Sequence, residues 1–188
     1  GLTLRGLHLP ARPQNDRFVV LLHGYGGNLL EYQSQFAFWR DLGFDVFLYD
    51  QRGSGASEGD VLSAGLREST DLAAVLAHAR AALPAGALAG VYGRSGGGAT
   101  AVFYAGSGGD ADFVVVDCAY SDFPAQLLDR LRADYGLLPE ALHRPLLATT
   151  LATVRLRFGL DLAEAVPLRE APGIRMPALF VSTAGDTY

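Results

Sequence analysis

Short apolar runs alternate with helical stretches along this chain, and that alternation constrains the fold more than any other feature. Residues 18–22 (FVVLL) are continuously apolar, which suits a strand covered on both faces. Residues 44–49, 87–92, 113–117 and 177–181 read as further strands. Between them, residues 31–42 read as a helix that Gly43 ends, 66–83 as a helix that Pro84 closes, and 96–105 as a third. On the second of these, Leu72, Leu76, Ala79 and Leu83 share one face. Residues 2–9 partly alternate and read as an edge-like strand ending at Pro10. Residues 122–166 keep a helical periodicity around Leu127, Leu128 and Leu131, then around Leu142, Leu146 and Leu147. Strands alternating with helices imply parallel βαβ units and a mostly parallel sheet with helices on both faces. Such sheets place ligands at the carboxyl ends of their strands. Chemistry is therefore expected in the loops after Leu22, Tyr49, Tyr92, Val116 and Val181.

The bulk properties narrow the function classes. A chain of 188 residues has the usual size of one domain, and residues 1–188 are read as a single unit. A formal net charge of -5 supplies no basic field to neutralise phosphates, so a nucleic-acid partner is not expected. No apolar run reaches the roughly 18 residues of a membrane span. The single cysteine, Cys118, excludes an intrachain disulfide and leaves the compartment undecided, with the cytoplasm as default and an upstream signal or anchor left open. Histidine and cysteine spacings match no zinc site, and no metal or other cofactor is expected. Oligomeric state is not legible.

The loop after the 87–92 strand reads Gly93-Arg94-Ser95-Gly96-Gly97, a G-x-S-x-G between an apolar strand and a small-residue helix. That context suits a nucleophilic serine held on a sharp strand-to-helix turn, its hydroxyl lifted above the sheet. Small flanking residues are needed because the turn is strained and its neighbours pack on adjacent backbone. The following helix start then offers free N–H groups and partial positive charge to a developing oxyanion. An ordinary glycine-rich βα turn with a solvated serine is the bland alternative.

Three further segments complete a pattern that resembles the α/β-hydrolase superfamily, in its serine-aminopeptidase and acyl-esterase branch. His23-Gly24-Tyr25-Gly26-Gly27 follows the first apolar strand, Asp50-Gln51-Arg52-Gly53-Ser54-Gly55-Ala56-Ser57-Glu58-Gly59 follows the second, and Met176 to Asp186 resembles the segment ending at the family's triad acid. The resemblance implies the α/β-hydrolase fold, with Ser95 as nucleophile and Asp186 as acid. It also implies that the Tyr25 and Gly96 N–H groups form the oxyanion hole. Asp117, at the end of the preceding strand, competes with Asp186 for the acid. His23 is read as a brace for its turn, and Asp50 and Arg52 as scaffold hydrogen-bonding groups.

The family's order of serine, acid, histidine calls for a histidine after Asp186, and none follows it in this sequence. His8, His78 and His143 lie in unmatched contexts and are read as solvated or packed. The expectation is therefore a chain incomplete at its C-terminus, lacking the fold's final strand and helix, and incomplete at its N-terminus too. Residues 122–166 fall where the family carries a variable, lid-like insertion. Its arginines (130, 132, 144, 155 and 157) read as solvated faces in preference to a cationic rim. The implied reaction is hydrolysis of an ester, thioester or amide through an acyl-serine, acting on a small acyl ester, thioester or peptide. The rivals are a catalytically inactive member that binds a ligand or partner, and a lyase or cofactor-independent oxidative enzyme using the same residues.

Overall fold

The computed structural model describes residues 1–11, 13 and 16–183. Six strands form one sheet in the order β1-β3-β2-β4-β5-β6. The strands are β1 (Gly6–Leu9), β2 (Arg17–Leu22), β3 (Asp45–Tyr49), β4 (Leu88–Arg94), β5 (Phe113–Asp117) and β6 (Ala178–Val181). All neighbours run parallel except β1, which pairs antiparallel with β3, Gly6 opposite Tyr49. The expected edge strand is thus present, shorter than residues 2–9. Its direction was not readable, because alternation specifies faces and not the sense of a neighbour.

Period-two patterning explains how the sheet is covered. Phe18, Val20 and Leu22 of β2 join Phe47, Tyr49, Ala89, Val91, Val114 and Val116 on one face. Leu72, Leu76 and Ala79 of α2 (Glu68–Ala81) and Ala101, Val102 and Ala105 of α3 (Gly96–Gly106) close over them. Val19 and Leu21 point the other way, with Val46, Leu48 and Tyr92, and Trp39 of α1 (Gln33–Asp41) packs there. Burying a large apolar side chain in this way stabilises the fold by roughly 1.5–3 kcal/mol. Helices therefore cover both faces, as the near-continuous apolar strands demand. Gly43, at φ 82°, follows α1 in the left-handed region, consistent with its reading as a helix stop.

Residues 122–166 form a helical hairpin, α4 (Phe123–Asp134) and α5 (Glu140–Phe158), followed by a short helical turn at Leu162–Glu164. Asp122 caps α4, accepting from the Ala125 N–H at 2.8 Å. A third cluster built on Tyr120, Leu160, Leu162 and Ala165 packs the hairpin onto Ala64 and Ala99, above the carboxyl end of the sheet. A four-residue helix, α6 (Pro167–Glu170), leads to β6. Strand β6 forms the sheet edge, and Leu179, Phe180 and Val181 are exposed there.

Candidate active site

Ser95 occupies a tight strand-to-helix turn. It stands between β4 and α3 at φ 52° and ψ -119°, a conformation that non-glycine residues rarely hold. The strain persists because neighbours over-determine it. Ser95 N–H donates to the Asp117 carbonyl on β5 at 2.8 Å, and the Ser95 carbonyl accepts from Ala99 N–H at 3.0 Å. The flanking glycines are needed for space. A Cβ at Gly93 would collide with the Gly97 carbonyl, and one at Gly97 with the Leu22 carbonyl, lying 2.7 Å from that of His23. Close packing of backbone on backbone thus sets the height of Ser95 above the sheet.

The loop after β2 abuts this turn. A Cβ on Gly24 would lie 3.4 Å from the Ser95 Cβ, and one on Gly96 3.2 Å from the Tyr25 nitrogen. Ser95, Tyr25 and Gly96 are therefore brought together. Gly96 opens α3, where the first N–H groups have no partner within the helix. Asp186 lies outside the described residues. Asp117 accepts the Tyr92 hydroxyl at 2.6 Å, so its carboxylate already has a hydrogen-bonding partner.

Scaffold contacts hold the loops. His23 is fully buried; its Nδ1 donates to the Gly24 carbonyl at 2.8 Å and its Nε2 accepts the Gln51 N–H at 3.0 Å. Both ring nitrogens are used, so the side chain braces its turn. Asp50 accepts from the N–H groups of Leu29 and Ala56, each at 2.8 Å, tying the β2 and β3 loops together. Arg52 grips Asp71 of α2 through two bonds of 2.7 Å. Glu68 and Glu31 gave no signal in the sequence. Buried Glu68 accepts from the Ser63 and Gly65 N–H groups at 2.7 and 2.8 Å and lies beside Tyr25, whose phenol is raised above its ordinary value by burial and by this carboxylate. Glu31 stands 3.9 Å from Arg94, next to the serine.

The other histidines are placed elsewhere. His8 bonds Asp45 at 2.7 Å, but Asp45 begins β3, at the opposite end of the sheet from Ser95. His78 sits exposed on α2. His143 is buried in the hairpin, 3.3 Å from both the Tyr135 carbonyl and Glu140.

A cavity of about 830 Å³ opens at Ser95, lined by Tyr25, Tyr120, Phe123 and the rest of one α4 face. Phe123 stacks on Tyr25 at 5.9 Å between ring centroids and meets Tyr120 at 5.3 Å. Three of the five hairpin arginines are paired with carboxylates. Arg130 pairs with Asp134 at 3.0 Å, Arg132 with Asp129 at 3.0 Å and Glu140 at 2.6 Å, and Arg155 with Asp161 at 3.1 Å. Among the described residues no cluster of three or more His, Cys, Asp and Glu could hold a metal ion, and no helix is long and apolar enough to cross a membrane.

Over residues 13–129, more than half of the chain, the sequence matches the family described as Serine aminopeptidase, S33. A Bacillus subtilis protein described as uncharacterized, YqkD, is 34% identical over 190 residues. The match takes in 100% of this chain, which spans 61% of the length of that relative. Among solved structures, an esterase of Pyrococcus furiosus superposes with a TM-score of 0.68 at 19% identity, covering 95% of this chain and 70% of the other. The α/β-hydrolase GrgF of a Penicillium species gives 0.70 at 18% identity, covering 100% and 78%. At such identities the shared property is the α/β-hydrolase fold.

Proposed function

The chain belongs to the Serine aminopeptidase, S33 family, and we propose that the whole protein is a serine hydrolase using Ser95 as its nucleophile. The observation that carries this reading is the strained, positive-φ placement of Ser95 against the Tyr25 and Gly96 backbone. Holding serine in that conformation costs about 1–3 kcal/mol, and strain of this kind clusters at active sites.

In the proposed reaction the Ser95 hydroxyl adds to the carbonyl of an ester, thioester or amide. The oxyanion that forms accepts from the N–H groups of Tyr25 and Gly96, each such donor contributing roughly 2.7–4 kcal/mol to the transition state. Collapse expels the alcohol, thiol or amine and leaves an acyl-serine, which water then hydrolyses. A histidine oriented by Asp186 takes the serine proton and returns it to the leaving group. None of His8, His23, His78 and His143 has the placement for that role. Residues 122–166 act as a lid over the cavity, and residues 1–188 form part of one catalytic domain. This reading is supported by the way α4 walls the space beside Ser95.

The test is p-nitrophenyl acetate turnover by the full-length protein and its Ser95→Ala variant. A burst of p-nitrophenol followed by turnover is expected from the parent, with turnover falling on the order of 10³-fold or more in Ser95→Ala. Equal turnover by the two proteins would defeat the assignment. Folded parent protein with neither burst nor turnover would favour the ligand-binding rival. Aminoacyl amides against p-nitrophenyl esters then separate peptidase from esterase.

A further inference from the structure

The wall of the cavity over Ser95 is graded. One stripe of α4 lines it, Phe123, Gln126, Leu127, Arg130, Ala133 and Asp134, with Asp129 at its edge. These recur at the spacing of a single helix face, so the cavity follows α4 for about 16 Å. The stack of Phe123 on Tyr25 fixes the start of α4 at the serine. Phe123, Gln126 and Leu127 are half-buried, whereas Arg130, Ala133 and Asp134 are exposed. Exposure therefore rises with distance from the reacting hydroxyl, and the charged groups Arg130 and Asp134 lie on the outer half, while Gln126 is the polar group of the inner half.

The outer half discriminates against two ligand types. An alkyl chain laid along it would strip water from Arg130 and Asp134 and return no hydrogen bond. A single charge fares little better, because Arg130 and Asp134 stand 3.0 Å apart and cancel, and a carboxylate would also face Asp129. What the surface does offer is donors and acceptors side by side. Arg130 only donates, Asp134 only accepts, and the Gln126 amide does both. Hydroxyl groups match such a surface, since each donates and accepts at once. The aromatic rings nearer the serine suit the carbon-bound face of a sugar or similar ring.

Resting on the Ser95 reading, we propose that the group lying along α4 is uncharged and rich in hydroxyls, so that the natural substrate is an ester of a sugar or other polyol. Gln126, Arg130 and Asp134 are then its specificity-determining residues.

The test compares a monoacetylated glucose with hexyl acetate, which has the same acyl group and an unactivated alcohol, on the full-length protein and on an Arg130→Leu/Asp134→Leu double variant. The pair is exposed, 56% and 51%, so its loss is expected to leave the fold intact, which circular dichroism checks. The parent is expected to show the higher kcat/KM on the sugar ester. In the double variant that preference falls roughly tenfold or more, through KM for the sugar ester with its kcat retained. A parent that prefers hexyl acetate, or a variant whose KM moves equally for both substrates, overturns the proposal. p-Nitrophenyl acetate turnover by the parent reports the Ser95 chemistry separately. If that is absent, calorimetric binding of the same sugar ester to parent and variant decides the matter, and equal affinity overturns it.

Discussion

Placing a methyl group at Gly97 should separate the geometry of the serine turn from the mere presence of the serine. A Cβ there would overlap the Leu22 carbonyl oxygen and lie 2.6 Å from its carbon and 2.7 Å from the His23 oxygen. All three are backbone atoms at the end of a central strand, so none can swing aside. Reaching an ordinary separation of about 3.5 Å requires roughly 1–1.5 Å of movement between α3 and β2. That movement carries Ser95 and Gly96 away from Tyr25. Misplacement of this size costs about 100-fold in rate. Overpacking should also cost about 1–3 kcal/mol, or roughly 3–10 °C in Tm for a chain of this length. The assay is kcat on p-nitrophenyl acetate with a melting curve, for Gly97→Ala in the full-length protein. Gly86→Ala is the control: its φ of 84° makes it strained but nothing lies within 4 Å, so Tm should fall slightly with kcat unchanged. Parent-like kcat and Tm in Gly97→Ala would refute the argument that backbone packing positions the serine.

Other consequences are open to measurement. Ser95→Gly removes a residue held at φ 52°, and should raise stability by about 1 kcal/mol in urea while abolishing turnover. His23→Ala leaves the buried Gln51 N–H without its acceptor and opens a void, so a loss of about 2–4 kcal/mol is expected in the same titration. Tyr120→Phe removes a buried hydroxyl that has no hydrogen-bond partner among the described residues, so denaturation should show unchanged or slightly higher stability. Burial and the Asp110 carboxylate push the Tyr104 phenol up to about 12, above the roughly 10 of an unfolded chain. Its stabilisation is therefore complete below pH ~10 and lost as pH rises toward ~12, so Tyr104→Phe should flatten that part of the alkaline melting profile.

Much of the architecture was legible because the central strands are buried on both faces and their apolar runs are nearly unbroken, as at 18–22. The glycines at 93 and 97 were legible for a related reason: only glycine permits the backbone approaches seen there. What stayed hidden depends on contacts between segments distant in sequence. Glu68 reads as one more helix-start carboxylate until the fold brings it beside Tyr25. Helical periodicity across 122–166 announced helices but not that their arginines would pair with Asp129, Asp134, Glu140 and Asp161, nor that one α4 face would wall the cavity. The acid is divided in the same way. Asp117 reads as a possible partner from its position alone, and only the fold reveals the Tyr92 hydroxyl on its carboxylate.

The most direct test of the central claim is a crystal structure of the full-length protein inhibited with a fluorophosphonate. A covalent bond from Ser95 Oγ to phosphorus is expected, with the phosphoryl oxygen about 2.7–3.1 Å from both the Tyr25 and Gly96 nitrogens. An adduct on another residue, or a phosphoryl oxygen turned away from those two amides, would contradict it.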